Sequence, residues 1–378
     1  MKEYFGVFMK TNYQALPKYP CEADIWDILA AESRPIVVYG MGNGADKIIE
    51  VLDALGIEVA DFFASDGFVR GHSFHGKKVL SFSEIKQKYE KFIILLAFGS
   101  SLPDVMAKFY DIASAHELYA PDVPVCGGAL FDAAFYLENQ EKFEKVRELL
   151  ADDKSKEVYD DLISYKLSSN ISYLRHADTE KDEALREILS GGYTAYADLG
   201  AYNGDTVRES LAYYPTIRKI TAFEPSAKTF AKLTAYTDTV EGVEIHACPL
   251  CAWDKTETVI LTDGAGRNTT IGGTSVGKTK NGAKVRTSEC DALDNQNDYT
   301  GEKLLIKYDV EGAEYEALQG SLRTIKANET EMIVSLYHKS GDLFSLPLMI
   351  REIMPDHKLY LRKHPYVPAW DINLYVCL

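Results

Sequence analysis

Cysteine is scarce in this chain, with six residues among 378. A disulfide framework is therefore not indicated, because so few thiols in a reducing compartment need not pair. Cys248 and Cys251 do form a C-x-x-C, and His246 lies close by. A zinc site needs about four ligands, however, and no second C-x-x-C is present. We therefore predict ordinary buried thiols here and no metal.

Long apolar runs and positive charge are also lacking. The longest apolar stretch, residues 92–98, is far too short to span a bilayer, and residues 1–14 contain no apolar signal segment. The net charge is −16, with the acidic residues scattered along the chain. Electrostatic binding to nucleic acid or to an anionic membrane is thus disfavoured. We expect a cytoplasmic protein with small-molecule chemistry, no nucleic-acid partner and no membrane span.

The remaining composition is that of an ordinary globular protein, and the length predicts about two domains. From residue 34 to about residue 128, short apolar runs alternate with helical patterns, as in a parallel α/β layer. A turn with Gly40, Gly42 and Gly44 follows the first run and precedes a helix over residues 45–55. The predicted strands are residues 35–39, 58–63 and 92–98. This pattern is typical of half a Rossmann-type sheet.

The next segment, residues 129–190, is rich in Glu, Lys, Leu and Tyr at helical spacing and has no strand-like run. We predict a helical connector. Tyr159, Tyr165 and Tyr173 are expected to pack it onto a neighbour, with a tyrosine at a cofactor mouth as the alternative.

A second α/β series begins at Tyr193. Its predicted parallel strands are residues 194–199, 219–223, 243–247, 304–309 and 332–337. Two final strands, residues 358–362 and 372–377, are joined by a loop too short for a crossover helix, so they must pair antiparallel. We divide the chain into an N-terminal α/β unit (1–128), a connector (129–190) and a C-terminal domain (191–378), and expect two separable units.

The strongest site signals follow the first two strands of this C-terminal series. Asp198-Leu-Gly-Ala-Tyr-Asn-Gly204 occupies a strand-to-helix turn, where glycines allow close approach of a ligand. The spacing differs from G-x-G-x-x-G, and Asp198 is suited to a cationic group rather than a pyrophosphate. The second strand ends at Phe223-Glu224-Pro225, where an acidic side chain can accept two ribose hydroxyls. A tight turn and a solvated glutamate are the structural alternatives.

A third cluster, Lys307-Tyr-Asp309-Val-Glu311-Gly-Ala-Glu314, closes the fourth strand. Its carboxylates could position an acceptor hydroxyl, accept its proton or hold a metal ion. Glu314 could instead complement a helix dipole. His338 lies just past the fifth strand, beside Asp342, and is either a base or a structural histidine.

These three segments resemble the FkbM family of methyltransferases over about residues 193–378, and the K-x-D-x-E-G-x-E pattern is the specific one. Residues 285–294 also resemble a family segment, whereas Tyr308 stands where an aliphatic residue is more usual. The resemblance implies a class I methyltransferase Rossmann-like sheet with a C-terminal antiparallel hairpin, S-adenosylmethionine as cofactor, and O-methylation of a sugar, glycan or natural product. The predicted cofactor-binding residues are Asp198, Gly200, Tyr202, Gly204, Glu224, Pro225 and Trp253, and the predicted catalytic residues are Asp309, Glu311 and His338.

The N-terminal unit lies outside that resemblance. Its V-Y-G-M-G-N-G turn, Asp66 and residues 74–81 are similar to nucleotide-sugar-associated Rossmann-like domains of bacterial glycan enzymes. It could bind a nucleotide or sugar, or be structural. Two rival functions follow: a nicotinamide-dependent oxidoreductase that uses this turn, and a non-catalytic binding protein of glycan assembly.

Overall fold

The computed structural model describes residues 18–20, 23–69, 71–263, 269–271, 277–278 and 284–378. Each half of the chain contributes one mainly parallel sheet, as the alternation of apolar runs and helical patterns predicted. Within these residues, no helix has both the length and the apolar character that a membrane crossing requires.

The N-terminal sheet has six strands in the order β3-β4-β2-β1-β5-β6, and all pairs are parallel except β3 with β4. The strands are β1 (Ile36–Tyr39), β2 (Val59–Ala64), β3 (Ser73–Phe74), β4 (Lys77–Ser81), β5 (Ile93–Leu96) and β6 (Leu118–Tyr119). The helices are α1 (Ile25–Ala30), α2 (Asn43–Ala54), α3 (Phe82–Lys88) and α4 (Pro103–Ala115), with a 3-10 turn at Asp66–Phe68. The three predicted strands are confirmed, while β3, β4 and β6 were missed.

The connector is helical, as predicted. Its elements are α5 (Ala133–Glu138), α6 (Gln140–Leu149), α7 (Asp153–Ser168), α8 (Ile171–Ala177), α9 (Lys181–Glu183) and a π-helical turn at Ala184–Ile188. The Asp152 side chain caps α7 by accepting from the Ser155 amide at 2.7 Å, which satisfies a first-turn donor.

The C-terminal domain contains the remaining strands: β7 (Ala195–Leu199), β8 (Lys219–Phe223), β9 (Glu244–Cys248), β10 (Cys251–Ala252), β11 (Glu257–Asp263), β12 (Thr269–Ile271), β13 (Gly277–Lys278), β14 (Lys284–Asp291), β15 (Lys303–Tyr308), β16 (Glu329–Ser335), β17 (Lys358–Lys363) and β18 (Ile372–Cys377). Its helices are α10 (Asp205–Tyr213), α11 (Ala227–Thr237), α12 (Leu293–Gln296), α13 (Glu314–Gln319), α14 (Leu322–Ala327) and α15 (Asp342–Ile353).

The main C-terminal sheet has the order β17-β18-β16-β15-β7-β8-β9. Strands β16, β15, β7, β8 and β9 are parallel, and β18 pairs antiparallel with both β16 and β17. The five predicted parallel strands and the antiparallel hairpin are therefore confirmed. A second sheet, β10 to β14, lies between β9 and β15 in the sequence and was not predicted. The family-like segment at residues 285–294 falls largely on β14.

The N-terminal sheet and the main C-terminal sheet share one hydrophobic layer, which we call the central core. Alternate residues of a strand point to opposite faces, so Val37 of β1 and Leu304 of β15 enter the central core, while Val38 and Leu305 enter separate outer clusters. Buried side chains of α6, α7, α8 and α15 complete the central core. Each sheet thus buries one face alone and the other face jointly.

The connector tyrosines pack as predicted, and two of them join the connector to opposite halves of the chain. The Tyr165 hydroxyl donates to the Ala120 carbonyl of the N-terminal unit at 2.7 Å, and the Tyr159 hydroxyl donates to the Leu343 carbonyl at 3.0 Å. A buried ion pair, Lys166 with Asp122 at 2.5 Å, reinforces the first junction. The unit boundaries at residues 128 and 190 stay a prediction.

The sequence predicted two separable units, but both contribute to the central core, so we expect the chain to unfold in one calorimetric transition. Tyr165→Phe should lower the free energy of unfolding by about 1–2 kcal/mol, since the buried Ala120 carbonyl loses its donor. Tyr213→Phe is the control, because that hydroxyl bonds Asp182 at an exposed position. Two transitions in the wild type, only one of which moves in Tyr165→Phe, would mean that the units are independent.

Candidate functional site

A cavity of about 840 Å³ opens between the carboxyl ends of the two sheets. In open parallel sheets, ligands bind where the strand order reverses, which is between β1 and β5 in one sheet and between β7 and β15 in the other. Both of these points line the same cavity. The lining residues near them include Gly42, Asn43, Gly44, Phe98 and Gly99 in the N-terminal unit, and Gly200, Tyr202, Glu224, Pro225, Asp309 and Glu311 in the C-terminal domain.

The glycines after β7 are required by packing within the protein. Gly200 has φ +94°, and a Cβ on it would lie 1.9 Å from the Asp309 carbonyl oxygen. Gly204 has φ +83°, and a Cβ there would lie 2.7 Å from the Tyr236 ring. Strands β7 and β15 can therefore end side by side only because residue 200 has no side chain. Our sequence interpretation, that these glycines make room for a ligand, missed this constraint.

Asp198 is fully buried at the end of β7. Its Oδ2 accepts from the Thr206 hydroxyl at 2.5 Å, and its Oδ1 lies 3.7 Å from the Lys307 ammonium. Among the described residues, Oδ1 has no hydrogen-bond partner. Burial raises the pKa of Asp198, and the Lys307 charge opposes that shift. Asp198 thus sits beneath the cavity wall, with one oxygen short of a donor.

Glu224 lies at the end of β8 and lines the cavity, although its side chain is mostly buried. Its Oε1 accepts from the Ser226 amide at 2.8 Å and from the Thr229 hydroxyl at 2.7 Å. These bonds tie the carboxylate to the start of α11 and fix its orientation. Pro225 and Tyr202 line the cavity too.

Of the predicted site residues, Asp198, Gly204, His338 and Trp253 do not line the cavity, and Trp253 lies in a different part of the domain. Its ring nitrogen donates to Glu257 at 2.5 Å, and it packs against the small cluster formed by Cys251, Leu261 and Cys290. The Trp253 carbonyl also faces Gly320, where a Cβ would lie 1.9 Å away. Trp253 therefore contributes to the packing of the second C-terminal sheet, β10 to β14, which we call the extra sheet.

Asp309 closes β15, and 31% of its side chain is exposed toward the cavity. Its Oδ2 accepts from Lys307 at 3.2 Å, and its Oδ1 accepts from the Tyr337 hydroxyl at 3.0 Å. Burial acts to raise the pKa of Asp309, but Lys307, His338 and Tyr337 outweigh burial and bring it to about 2. Asp309 is therefore ionised at neutral pH.

Glu311 follows two residues later with φ +55°, a left-handed conformation that is costly for a residue with a side chain. Its Oε2 accepts from the Cys126 thiol at 3.7 Å and lies 3.7 Å from His338 Nε2. Burial raises the pKa of Glu311 to about 7, with Asp309 and Glu314 adding to the shift and His338 opposing it. Two carboxyl groups of one motif thus have very different proton affinities.

His338 is completely buried among these carboxylates. Its Nδ1 lies 2.8 Å from Glu314 Oε1, and its Nε2 lies 3.5 Å from Asp309 Oδ1. Neither nitrogen makes an aligned hydrogen bond to a described residue, so the attraction is mainly electrostatic. Burial acts to lower the pKa of His338, but Glu314 and its neighbours raise it to about 10. Glu314, for which the sequence left open a role on the acceptor or with the helix dipole, is the main partner of this cation.

Four further residues that sequence reasoning left without a site role also belong to the site. Lys307 and Tyr337 hold Asp309, while Lys47 and Cys126 approach from the N-terminal unit. Lys307 could have been found from its place in the K-x-D motif. Lys47 and Cys126 carry no sequence signal, because only the packing of the two sheets brings them here.

Two glycines of the N-terminal turn, Gly42 and Gly44, line the cavity, but only one of them is required by packing. A Cβ on Gly44 would lie 2.5 Å from the Ala97 carbonyl oxygen, so Gly44 serves packing, whereas Gly42, with φ +152°, has open space around it. Within the described part of the chain, no group of three or more His, Cys, Asp or Glu residues has an arrangement that could hold a metal ion.

Comparison with known proteins agrees with this geometry. The family model described as "Methyltransferase FkbM domain" matches residues 198–366. The crystal structure of a methyltransferase FkbM from Methylobacillus flagellatus KT superposes with a TM-score of 0.67 at 20% identity, covering 95% of this chain and 94% of that one. Its likeness extends over both sheets and therefore supports the whole fold.

Two more distant structures are the methyltransferase domain of bacterial CtHen1-CN and the mitomycin 7-O-methyltransferase MmcR. The first has a TM-score of 0.28 at 10% identity, covering 49% of this chain and 91% of that one. The second has a TM-score of 0.27 at 11% identity, covering 65% and 63%. These likenesses are too weak to bear on function. No curated protein matches the chain.

The contact between Gly200 and Asp309 generates a stability prediction. Gly200→Ala should lower the free energy of unfolding by more than about 3 kcal/mol, because the new methyl group must displace the end of β15. Gly242→Ala is the control, since Gly242 has φ +75° but a Cβ there would meet nothing within 4 Å, and it should cost about 1 kcal/mol. Equal losses in chemical denaturation would contradict the steric explanation.

Proposed function

Because residues 198–366 form a methyltransferase FkbM domain, we propose that this protein transfers a methyl group from S-adenosylmethionine to a hydroxyl oxygen of a small-molecule or glycan acceptor. One observation carries this proposal. Glu224 and the turn after β7 line the same cavity as an ionised Asp309 and a Glu311 with a pKa of about 7. A cofactor subsite and a proton-accepting subsite thus share one space.

The residues present fit this cofactor. Glu224 is oriented at the end of the second strand, where it can accept hydrogen bonds from the ribose hydroxyls. Asp198 is fully buried and does not line the cavity, so it would act on the cofactor only through Thr206 and Lys307, which contact it and do line the cavity. Gly200, Tyr202 and Pro225 provide the adjoining wall. When bound, S-adenosylmethionine supplies an already activated methyl group.

Asp309 and Glu311 have different roles toward the acceptor in this proposal. Asp309, held by Lys307 and Tyr337, is rigid and ionised, so it can accept a hydrogen bond and orient the acceptor. Glu311 has a pKa near the working pH, which is the condition for an effective general base. Holding donor and acceptor in line supplies much of the rate in such a displacement. We therefore assign orientation to Asp309 and proton acceptance to Glu311.

His338 is assigned a positioning role and not that of a base. With a pKa of about 10 it is protonated at neutral pH, so it has no free lone pair with which to take a proton. Its charge instead offsets the repulsion among Asp309, Glu311 and Glu314. A sugar, glycan or natural-product hydroxyl and a cytoplasmic location remain predictions from the sequence.

Calorimetric titration with S-adenosylmethionine, S-adenosylhomocysteine and NAD tests the proposal against its rivals. We expect both sulfur ligands to bind and NAD not to bind. Binding of NAD alone would favour an oxidoreductase that uses the turn after β1. Binding of neither class would favour a non-catalytic protein and would overturn the proposal.

Glu224→Ala should weaken S-adenosylmethionine binding by tens- to hundreds-fold, because losing two charge-assisted hydrogen bonds costs about 2–4 kcal/mol. Glu224 also accepts from Ser226 and Thr229, so thermal stability is measured on the same samples. Glu244→Ala, an exposed glutamate at the start of β9, is the matched control and should bind normally. Unchanged affinity in folded Glu224→Ala would remove this residue from the cofactor site.

For the chemical step, we expect turnover to rise with pH through about 7, because Glu311 must be deprotonated to act as the base. Glu311→Gln should abolish this rise and lower turnover by about 10²–10⁴-fold. Asp309→Asn should lower turnover and keep the cofactor affinity and a rise with pH, but the rise should move to lower pH because the Asp309 charge no longer raises the pKa of Glu311. Transfer of radiolabelled methyl groups into hydroxylated acceptors measures both.

The two variants act as controls for each other. A pH dependence that survives in Glu311→Gln and disappears in Asp309→Asn would reverse the assignment. Joint loss of cofactor binding and turnover in Asp309→Asn would place Asp309 in the cofactor pocket.

A further inference from the structure

The N-terminal unit does more than cover the cavity. We propose that it completes the active site, with Cys126 holding one oxygen of Glu311 and Lys47 holding the segment that carries Cys126. Both are positioning residues, and the inference rests on the proposed role of Glu311 as the general base. Neither residue belongs to the methyltransferase domain or to a motif found in the sequence.

Lys47 fixes the segment first. From the first half of α2, its ammonium donates to the Pro124 carbonyl at 3.0 Å and to the Val125 carbonyl at 2.5 Å. Two bonds to successive carbonyls just before Cys126 leave that stretch of backbone little freedom. Burial lowers the pKa of Lys47, while Cys126 and Glu311 act to raise it. The Lys47 ammonium and the Glu311 carboxylate are therefore close enough to interact electrostatically.

The methyltransferase domain is shaped to receive this segment. The Cys126 amide donates to the His338 carbonyl at 3.2 Å, and the Ser340 hydroxyl donates to the Ala129 carbonyl at 2.7 Å. Gly312 has φ +93°, and a Cβ on it would lie 2.9 Å from Cys126 Cβ. A side chain at the residue after Glu311 would thus push Cys126 away.

The contacts favour one oxygen of Glu311. The Cys126 thiol and His338 Nε2 both lie 3.7 Å from Oε2. The described residues make no hydrogen bond to Oε1, and Glu311 lines the cavity with 26% of its side chain exposed. The thiol and the imidazolium therefore anchor Oε2 and leave Oε1 to accept the acceptor proton.

Several charged groups surround Glu311, and they act on its pKa in opposite senses. Asp309 and Glu314 raise its pKa, whereas His338 and the Cys126 hydrogen bond lower it. Lys47 approaches from the N-terminal unit, and Asp342 lies behind Glu314 and His338. The remaining ionisable neighbours on these elements are Lys307, Tyr337 and Lys339. A donor removed from Oε2 must therefore make ionisation of Glu311 harder.

The test measures the titration of Glu311 itself, by NMR of protein labelled with ¹³C at the glutamate carboxyl groups. Glu311→Gln, which loses the signal, assigns it. We expect Cys126→Ala to move the titration upward by about half a pH unit to one pH unit, since a hydrogen bond to the charged form is lost. Cys126→Ser retains a donor and should return the titration toward the wild-type value. Lys47→Met should also move it upward.

Matched controls separate positioning from general damage. Lys77 donates to two backbone carbonyls, those of Val59 at 2.6 Å and Ala60 at 3.1 Å, but lies away from the site, so Lys77→Met should leave the titration unchanged. Cys377→Ala removes a buried thiol from the far end of β18 and should also leave it unchanged.

An unchanged Glu311 titration in folded Cys126→Ala would overturn the proposal. If Cys126→Ala does not fold, Lys47→Met decides in the same way. Movement with Cys126→Ala but not with Lys47→Met would overturn the role of Lys47. Calorimetry with S-adenosylmethionine on the same wild-type sample tells this failure apart from failure of the proposed function, because the titration needs neither cofactor nor acceptor.

Discussion

The Lys307 ammonium is the interaction on which the candidate site depends. It lies 3.7 Å from Asp198 Oδ1 and 3.2 Å from Asp309 Oδ2, so one cation serves the ends of two neighbouring strands. Burial acts to lower the pKa of Lys307, but these two carboxylates outweigh burial and keep it charged. Without this cation, burial alone would disfavour ionisation of both acidic side chains at the end of a buried sheet. The ends of β7 and β15 are thus coupled through a single charge.

A second buried cation, His338, offsets the negative charge of the carboxylates that follow β15. His338 faces Glu314, Asp309 and Glu311, and its protonation offsets a concentration of negative charge that the chain carries in one short segment. The compensation is uneven, because His338 lies nearest to Glu314 and Lys307 bonds Asp309. Burial raises the pKa of Glu311, and the nearby cations offset that effect less for Glu311 than for Asp309. The difference between Asp309 and Glu311 therefore arises from where the cations stand, not from the residues themselves.

Sequence reasoning recovered what depends on local pattern. The parallel strands of the main C-terminal sheet, three strands of the N-terminal sheet, the helical connector and the final hairpin follow from apolar period, turn residues and loop length, and these were found, whereas the five-residue β4 was missed. Strands β3 and β6 have two residues each, too few for a period to be visible. The second C-terminal sheet, whose strands pair with one another and not with the main sheet, was also missed.

The candidate site was predicted only in part, because a sequence reveals local patterns but not the contacts that packing creates. Motifs located Glu224, Asp309 and Glu311 because those residues sit at strand ends, which a sequence reveals. The sequence could not reveal that His338 is a buried cation, because its pKa depends on neighbours brought together by packing. Nor could it show that Trp253 packs on the extra sheet rather than at the cavity.

The arrangement of the two sheets places the N-terminal α/β unit at the same cavity as the C-terminal domain. Each sheet reverses its strand order once, and both reversals line one cavity. The shared central core determines how the two sheets are placed, since each sheet contributes one face to it. The walls of this cavity therefore come from both halves of the chain: the loops after β1 and β5 line it on one side, and Glu224, Lys307 and Asp309 line it on the other.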